Sequence, residues 1–405
     1  MEQIYLKDIC DLDNGYAFKS DDYVDISNTL NCRMSNIRPD GSFDIMYNAK
    51  YLPDEYAEKY KDYLLKDGDL IIAMTDMAGD PKILGVPTVV DTKGYNLLLN
   101  QRVGKLRFIK DGVDADYLKL ALQSKNVRSY LKRFAGGGVQ LNVSKKDILN
   151  SPVQIRTEEE QTYIVNIFTK LKSIINQRKK ELELLDELIK ARFVELFGDA
   201  ETNPYKWPVS KLSEFCDLQN GYAFMSQDYL DNSSVLNCRM SNIRPDGGFD
   251  AEYHPKYLPD TFWDKYKEYR LVDGDVIIAM TDMANDPKIL GVPTIVRTNG
   301  KKFLLNQRVG KLTFFGDKAI NNVYLMFVLS QKHIRQQLVK SAGGSTQINV
   351  GKPAVLSVEF FVPPMERQQQ FAAFVEQADK SKFAVQKSLE EAQLLFDSLM
   401  QKYFG

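Results

Sequence analysis

The chain has 405 residues, with 53 Lys and Arg against 54 Asp and Glu, four cysteines and two histidines. Two histidines and no Cys-x-x-Cys pair leave little material for a His-based metal site, a zinc cluster or a disulfide framework. A formal charge of -1 neither demands nor excludes nucleic acid, and 44% hydrophobic residues suffice to bury sizeable cores.

At roughly 100–200 residues per domain, two to four domains are expected. The opening Met1-Glu2-Gln3-Ile4-Tyr5 lacks the basic start and apolar stretch of a signal peptide. Leu70-Ile71-Ile72-Ala73-Met74 is typical of the longest apolar runs and is too short to span a bilayer. The expectation is a soluble cytoplasmic protein.

In chain order, Leu70–Met74, Pro87–Val90 and Val103–Phe108 read as strands, separated by the turn signals Asp67-Gly68-Asp69 and Lys93-Gly94. Leu118, Leu122 and Leu131 give helical spacing across Ala115 to Phe134, and Gly136-Gly137-Gly138 follows as a turn. The spacing predicts an α+β globule with a strongly curved sheet that can close as a barrel. From Glu158 to Phe197 there is no Gly or Pro, and apolar residues fall at 164, 167, 171, 174, 182, 185, 189, 193 and 196. This three-four spacing, with a defect near Arg178, predicts one long helix. Thr157 is its expected N-cap, ahead of Glu158-Glu159-Glu160, and Gly198 its stop.

The order then repeats. Asn14-Gly15-Tyr16-Ala17-Phe18 returns as Asn220-Gly221-Tyr222-Ala223-Phe224, an offset of 206, and Ala73 to Thr88 returns from Ala279 with Gly79 changed to Asn285. Past one inserted residue the offset is 207, so Ala135-Gly136-Gly137 matches Ala342-Gly343-Gly344. Divergence is uneven: the helices and 108–134 differ widely while 73–88 barely changes. The second long helix runs from Met365 to Phe404, with Phe371, Phe374, Ala378, Val385, Leu389, Ala392, Leu395, Leu399 and Tyr403 on one seam. An antiparallel pairing of the two helices, with the globules at opposite ends and related by a pseudo-twofold axis, would keep both seams dry. The alternative, each helix folding back on its own globule, stays open.

Three motifs invite catalytic readings. Pro53-Asp54 followed by Asp80-Pro81-Lys82, with Pro259-Asp260 and Asp286-Pro287-Lys288 in the second copy, resembles the carboxylate–lysine signature of Mg²⁺-dependent nucleases. The pattern is short and degenerate, and a Pro interrupts it. Asn203-Pro204-Tyr205-Lys206 resembles an amino-methyltransferase tetrapeptide but lacks its second Pro, and is read as a connector. Gly136-Gly137-Gly138 has no following Gly-Lys-Ser/Thr and is not a nucleotide loop. No active site is expected on this chain.

What remains is a set of polar residues present twice in turn-rich segments. In the first copy these are Arg33, Ser35, Asn36, Arg38, Thr75, Asp76, Lys82, Asn100, Gln101, Arg102, Gln140 and Asn142. In the second they are Arg239, Ser241, Asn242, Arg244, Thr281, Asp282, Lys288, Asn306, Gln307, Arg308, Gln347 and Asn349. Arg, Asn and Gln can contact base edges in bidentate fashion, and Lys, Ser and Thr suit phosphates. The other reading, that they cap strands and satisfy buried loops, stays open.

The motif order resembles the specificity (S) subunit of Type I restriction–modification enzymes over essentially the full length. Ala342-Gly343-Gly344-Ser345-Thr346-Gln347-Ile348-Asn349-Val350 running into Val362-Pro363-Pro364-Met365-Glu366-Arg367-Gln368 is similar to that family's junction between recognition domain and helix. The first copy has Gly136 to Val143 and then Thr157-Glu158-Glu159-Glu160-Gln161, without the Pro-Pro pair. Phe197-Gly198-Asp199, Asn203-Pro204 and Trp207-Pro208 are similar to its approach to the second domain. The resemblance implies target-recognition domains at 1–156 and 199–363, and spacer helices at 157–198 and 364–405. It implies no catalysis on this chain, a bipartite DNA target, two methyltransferase (M) subunits supplying S-adenosylmethionine chemistry, and a restriction (R) subunit. Two near-identical readers further imply an interrupted palindrome, with the helices setting the spacer. A stand-alone Mg²⁺-dependent nuclease and a coiled-coil protein-binding scaffold are the alternatives.

Overall fold

The run Leu70–Ala73 is buried on both faces, and its alternation explains the globule around it. Leu70 and Ile72 face one core, with Leu12, Leu106, Leu118 and Leu131; Ile71 and Ala73 face another, with Cys32, Leu97 and Val103. A strand that feeds two cores has no polar side, which is why it reads as a continuous apolar run.

The computed structural model describes residues 2–316 and 319–405; Met1, Asp317 and Lys318, which fall within the expected recognition domains, lie outside the described residues. The chain divides into two units, Met1–Lys180 with Gln386–Gly405, and Glu181–Val385. The first has strands β1 (Glu2–Tyr5), β2 (Cys10–Asn14), β3 (Thr29–Cys32), β4 (Tyr51–Leu52), β5 (Leu64–Leu65) and β6 (Leu70–Ala73). These are followed by β7 (Thr75–Met77), β8 (Pro87–Val89), β9 (Asn96–Leu99), β10 (Val103–Phe108), β11 (Gln140–Asn142) and β12 (Pro152–Ile155). Its short helices are α1 (Tyr56–Lys59), α2 (Ala115–Gln123), α3 (Lys125–Phe134) and α4 (Lys145–Leu149), and the long α5 (Glu158–Phe197) is divided between the two units at Lys180. The second unit repeats the short ones as α6 (Phe262–Lys265), α7 (Asn322–Leu329), α8 (Lys332–Ser341) and α9 (Lys352–Leu356), ahead of α10 (Met365–Phe404).

The sheet does not close as a barrel. It is split into two four-stranded sheets, β2-β10-β6-β8 and β4-β3-β9-β5, with the two-stranded pairs β1-β12 and β11-β7 beside them. The split falls at Asn100, where the chain leaves β9, parallel to β3, and enters β10, antiparallel to β2 and β6. Asn100 is buried, and its side-chain oxygen accepts the Arg102 N–H at 3.1 Å, holding the turn. The second unit repeats both sheets strand for strand.

The predicted helix over 115–134 is two helices. Ser124 is extended, and its hydroxyl accepts the N–H of Val127 at 3.3 Å, ending α2 and capping α3. At the start of α5, Thr157 and Glu160 exchange side-chain-to-backbone hydrogen bonds, each 3.3 Å, as a capping box. At its end, Gly198 takes φ +82°, and the Trp207 indole N–H donates to the Phe197 carbonyl at 3.0 Å. The 203–206 connector is a turn braced by Asn203, whose amide pairs with both backbone groups of Trp207.

The helix seam differs by one residue from the sequence reading: α5 buries Phe168 and Ile175 rather than Ile167 and Ile174, and Ile174 is exposed. Phe168 is selected because its ring meets Phe396 at 5.0 Å and Phe404 at 6.2 Å in the first unit. There Arg156 donates to the Tyr403 carbonyl while Lys172 lies over Phe396, so the two helical stretches run antiparallel. In the second unit Phe193 and Phe197 meet Phe371, and Asp186 pairs with Lys382, again antiparallel. No helix among the described residues is long and apolar enough to cross a membrane.

Candidate nucleic-acid interface

Backbone pairing gathers much of the expected polar set into one place in each unit. The Met74 N–H donates to the Arg102 carbonyl at 3.0 Å, and the Val143 N–H to the Met74 carbonyl at 2.9 Å. The Asn100 N–H donates to the Cys32 carbonyl at 3.1 Å, bringing Arg33 beside the 100–102 turn. Thr75 and Asp76, expected with Lys82 on a loop, instead form β7 with Met77, because β11 supplies a partner strand: Gln140 faces Met77, and Asn142 faces Thr75. The Gly136–Gly138 hinge folds β11 back. Gly137 has φ +136°, and a Cβ there would lie 1.9 Å from the Gln140 carbonyl oxygen.

Within that cluster the structure separates two groups. Asn36, Thr75, Asp76 and Asn100 are buried, as are Asn242, Thr281, Asp282 and Asn306. Asn36 donates to the carbonyls of Asp44 and Ile45 and accepts the Arg33 N–H at 2.8 Å. The Thr75 hydroxyl donates to Asn142 Oδ1 at 2.8 Å, and Thr281 does the same to Asn349 at 2.6 Å. Asp76 accepts the N–H groups of Ile83 and Leu84 at 2.5 and 2.9 Å, closing the 77–84 loop, and Asp282 closes the equivalent loop on Ile289 and Leu290. These side chains are engaged inside the protein; the sequence placed them with the base readers because Asn, Thr and Asp serve both roles. Ser35 and Ser241 turn buried hydroxyls inward, with no partner among the described residues.

The second group faces outward. Gln101 is exposed and Arg102 half-buried, while Gln307 and Arg308 are both exposed. Among the described residues no carboxylate pairs with Arg33, Arg102, Arg239 or Arg308, and Gln140 and Gln347 present partly exposed amides. Arg38 and Arg244 stand apart, stacked on Tyr47 and Tyr253 at 3.6 and 4.3 Å from the ring centroids.

Lys82 and Lys288 are exposed and pair with Asp80 and Asp286 at 2.9 and 3.1 Å. The Asp80 carboxylate raises the Lys82 pKa, keeping it charged. Asp54, the other carboxylate of the nuclease-like pattern, accepts from the Asn28 N–H and the Thr29 hydroxyl, at 2.9 and 3.0 Å. Among the described residues no group of three His, Cys, Asp or Glu side chains is placed to hold a metal.

Sequence reasoning missed four contributors. Val139 is 79% exposed and sits against the loop tip, its carbonyl accepting the Ala78 N–H at 3.0 Å, and Met77 beside it is half exposed. Arg128, on α3, donates to the Lys82 carbonyl at 3.0 Å, and Arg335 to that of Lys288 at 2.7 Å, holding each Asp-Pro-Lys loop. A basic residue one turn into each of two otherwise dissimilar helices was the available signal.

The family described as Type I restriction modification DNA specificity domain matches the chain twice, over residues 1–184 and 204–394. The chain belongs to that family. A curated relative, the Type I restriction enzyme MjaVIII specificity subunit of Methanocaldococcus jannaschii, is 26% identical over 353 residues, covering 82% of this chain and 78% of the relative. Two solved structures share the fold across 100% of this chain. The Type I S subunit from M. genitalium has a TM-score of 0.57 at 13% identity, over 96% of its own chain. A structure from a study of complex assembly and conformational transition in the type I R-M system has 0.58 at 15%, over 97% of its own chain. This specificity chain is thus a DNA-recognition component of a restriction–modification system, and its family role is not catalytic.

Proposed function

We propose that each unit of this specificity chain reads one half of a bipartite DNA target through its 100–102 or 306–308 turn and the adjoining strand pair. The observation that carries this reading is the unpaired Arg102, with Gln101 and Gln140 beside it, on a backbone locked by Thr75, Asp76 and Asn100, and repeated around Arg308. An arginine held ready without an internal counterion can make bidentate contacts with guanine, and an amide with adenine. Lys82 and Lys288, at the loop tips, serve phosphates. Arg33 and Arg239 border the same surface as secondary contacts, and Arg38 and Arg244, apart from it, are read as outlying ones.

Because 73–88 and 98–106 are nearly identical in the two copies, both halves of the target carry closely related sequences. The antiparallel course of α5 and α10 within each unit supports an inverted order of the halves, hence an interrupted palindrome whose spacer the helices set. The partners are two methyltransferase subunits, which bind S-adenosylmethionine and modify adenine, and a restriction subunit; the complex acts on cytoplasmic DNA. Phe383, 75% exposed on α10, and Leu188, half exposed on α5, are apolar surface that suits protein partners.

Filter binding of the full chain to duplexes with and without the methylated target, across a salt titration, tests the DNA role. Affinity should fall steeply with salt and favour the target; salt-insensitive or absent binding would favour a protein scaffold instead.

A further inference from the structure

A cleft of about 440 Å³ in the first unit lies between the 39–42 turn, α2, the start of α3 and the facing stretches of α5 and α10. Five cationic side chains line it: Lys119, Lys125, Arg128, Lys172 and Lys179. Its side-chain carboxylates are Asp40 and Asp397, with the terminal carboxylate of Gly405 beside them, and Asp40 is already engaged by the backbone N–H and hydroxyl of Ser42, at 2.9 and 2.7 Å. None of the five cations forms an ion pair among the described residues.

The lysines of the cleft are partly withdrawn from water, and Asp116 and Asp40 offset that only in part. Burial, then the charge of Lys119, holds the Lys172 ammonium below the ordinary lysine range, and burial does the same to Lys119. Two more donors share the cleft: Gln123 Nε2 and Arg128 Nε are both buried with no acceptor among the described residues. Buried donors without acceptors are costly and rare in folded proteins. A lining with surplus cations and donors and few free acceptors is complementary to an oxyanion.

The fold itself does not require this lining. Aligning Tyr117 with Tyr324 and Gln161 with Gln368 puts Met326 at the Lys119 position, Ser330 at Gln123, Asp379 at Lys172 and Gln386 at Lys179. There Arg335 Nε donates to the Leu290 carbonyl at 3.2 Å, so the donor that is orphaned in the first unit is satisfied in the second.

We propose that this cleft binds a phosphate-bearing anion, with Lys119, Lys172, Gln123 and Arg128 donating to its oxygens. The phosphate could arrive on a free nucleotide or diphosphate, or as a backbone phosphate of bound DNA. The cleft is larger than one phosphate group needs, which favours the first source. Arg128 also holds the Lys82 carbonyl, so an occupied cleft shares a residue with the loop of the reading surface.

The test is calorimetric titration of the full chain with pyrophosphate in a phosphate-free buffer, alongside duplex DNA binding. It uses the wild type, the double variant Lys119→Met with Lys172→Ala, and Lys332→Met as a control in the other unit. Saturable pyrophosphate binding that weakens at least tenfold in the double variant and not in the control is expected. Pyrophosphate binding that fails, with the double variant several-fold weaker on every duplex and its salt dependence shallower, would assign the phosphate to DNA. No binding of pyrophosphate and unchanged DNA affinity in a double variant of wild-type melting temperature overturns the proposal. If the double variant melts early, Lys119→Met alone serves, because Met already stands at that position in the second unit. The pyrophosphate titration does not depend on DNA binding, so failure of either reading leaves the other intact.

Discussion

Gln161, on the first turn of α5, accepts the backbone N–H of Asp114 at 2.8 Å, and Gln368, on α10, accepts that of Asn321 at 2.9 Å. Each glutamine is 1% exposed and spends its amide N–H on a carbonyl of the junction: Gln161 on Gly112 and Arg156, Gln368 on Pro363. Each long helix is thereby tied to the loop that opens α2 or α7, whose own cap is Asp114 or Asn321.

Removing that tie leaves buried donors and acceptors unmatched. Gln161→Ala and Gln368→Ala should each cost roughly 2–3 kcal/mol of stability. Urea denaturation of each variant checks this, and a change within error of wild type would mean that water takes over the junction.

Gly15 lies against the turn that separates the two sheets. A Cβ on it would fall 2.3 Å from the Asn100 carbonyl carbon, and on Gly221 2.2 Å from the Asn306 carbonyl oxygen. Backbone cannot yield as a side-chain tip can, so Gly15→Ala should destabilise by about 3 kcal/mol or more. Gly79→Ala, where nothing lies within 4 Å, should be neutral in melting temperature.

Arg102→Ala and Arg308→Ala should each weaken recognition of one half-site by roughly 1–3 kcal/mol if the guanidinium contacts a base. Competition binding against duplexes altered in one half separates the roles. Equal loss on every sequence would make them phosphate contacts. The copies differ near the loop tips at Gly79/Asn285 and Val139/Thr346. Any base preference that differs between the halves should follow exchanges at those positions.

Burial pushes the thiols of Cys10 and Cys216 up to about 12, and those of Cys32 and Cys238 higher still. All four should resist a thiol reagent at pH 8 in the native protein and react together in denaturant. Their folded pKa values exceed the unfolded value, so the unfolded chain loses these protons first, and stability should fall as pH rises from 9 toward 12. Prompt reaction of any native thiol would show that its environment opens.

The two long helices were legible because 40 residues without Gly or Pro, bounded by Thr157 and Gly198, admit little else. Their seam was read one residue off at 167 and 174, because Ile167 and Phe168 are both apolar and only the rings of Phe396 and Phe404 decide between them. The duplication was visible by inspection, and it located the polar cluster. What sequence could not do was sort that cluster. Asp76, in β7, and Lys82, on the loop that Asp76 closes, are neighbours in sequence, yet Asp76 is buried on two backbone N–H groups while Lys82 faces outward. That difference comes from loop closure, a tertiary event with no local periodicity. Arg128 escaped notice for the same reason, since its target carbonyl lies 46 residues away.

The most direct test is to co-express the chain with the methyltransferase subunit proposed as its partner and map N6-methyladenine across the host genome by single-molecule sequencing. Methylation confined to one interrupted palindrome is the predicted result, with the spacer shortening when equal whole turns are deleted from α5 and α10. Methylation at a target with unrelated halves would contradict two equivalent readers. No methylation despite a stable, active complex would contradict the specificity role itself.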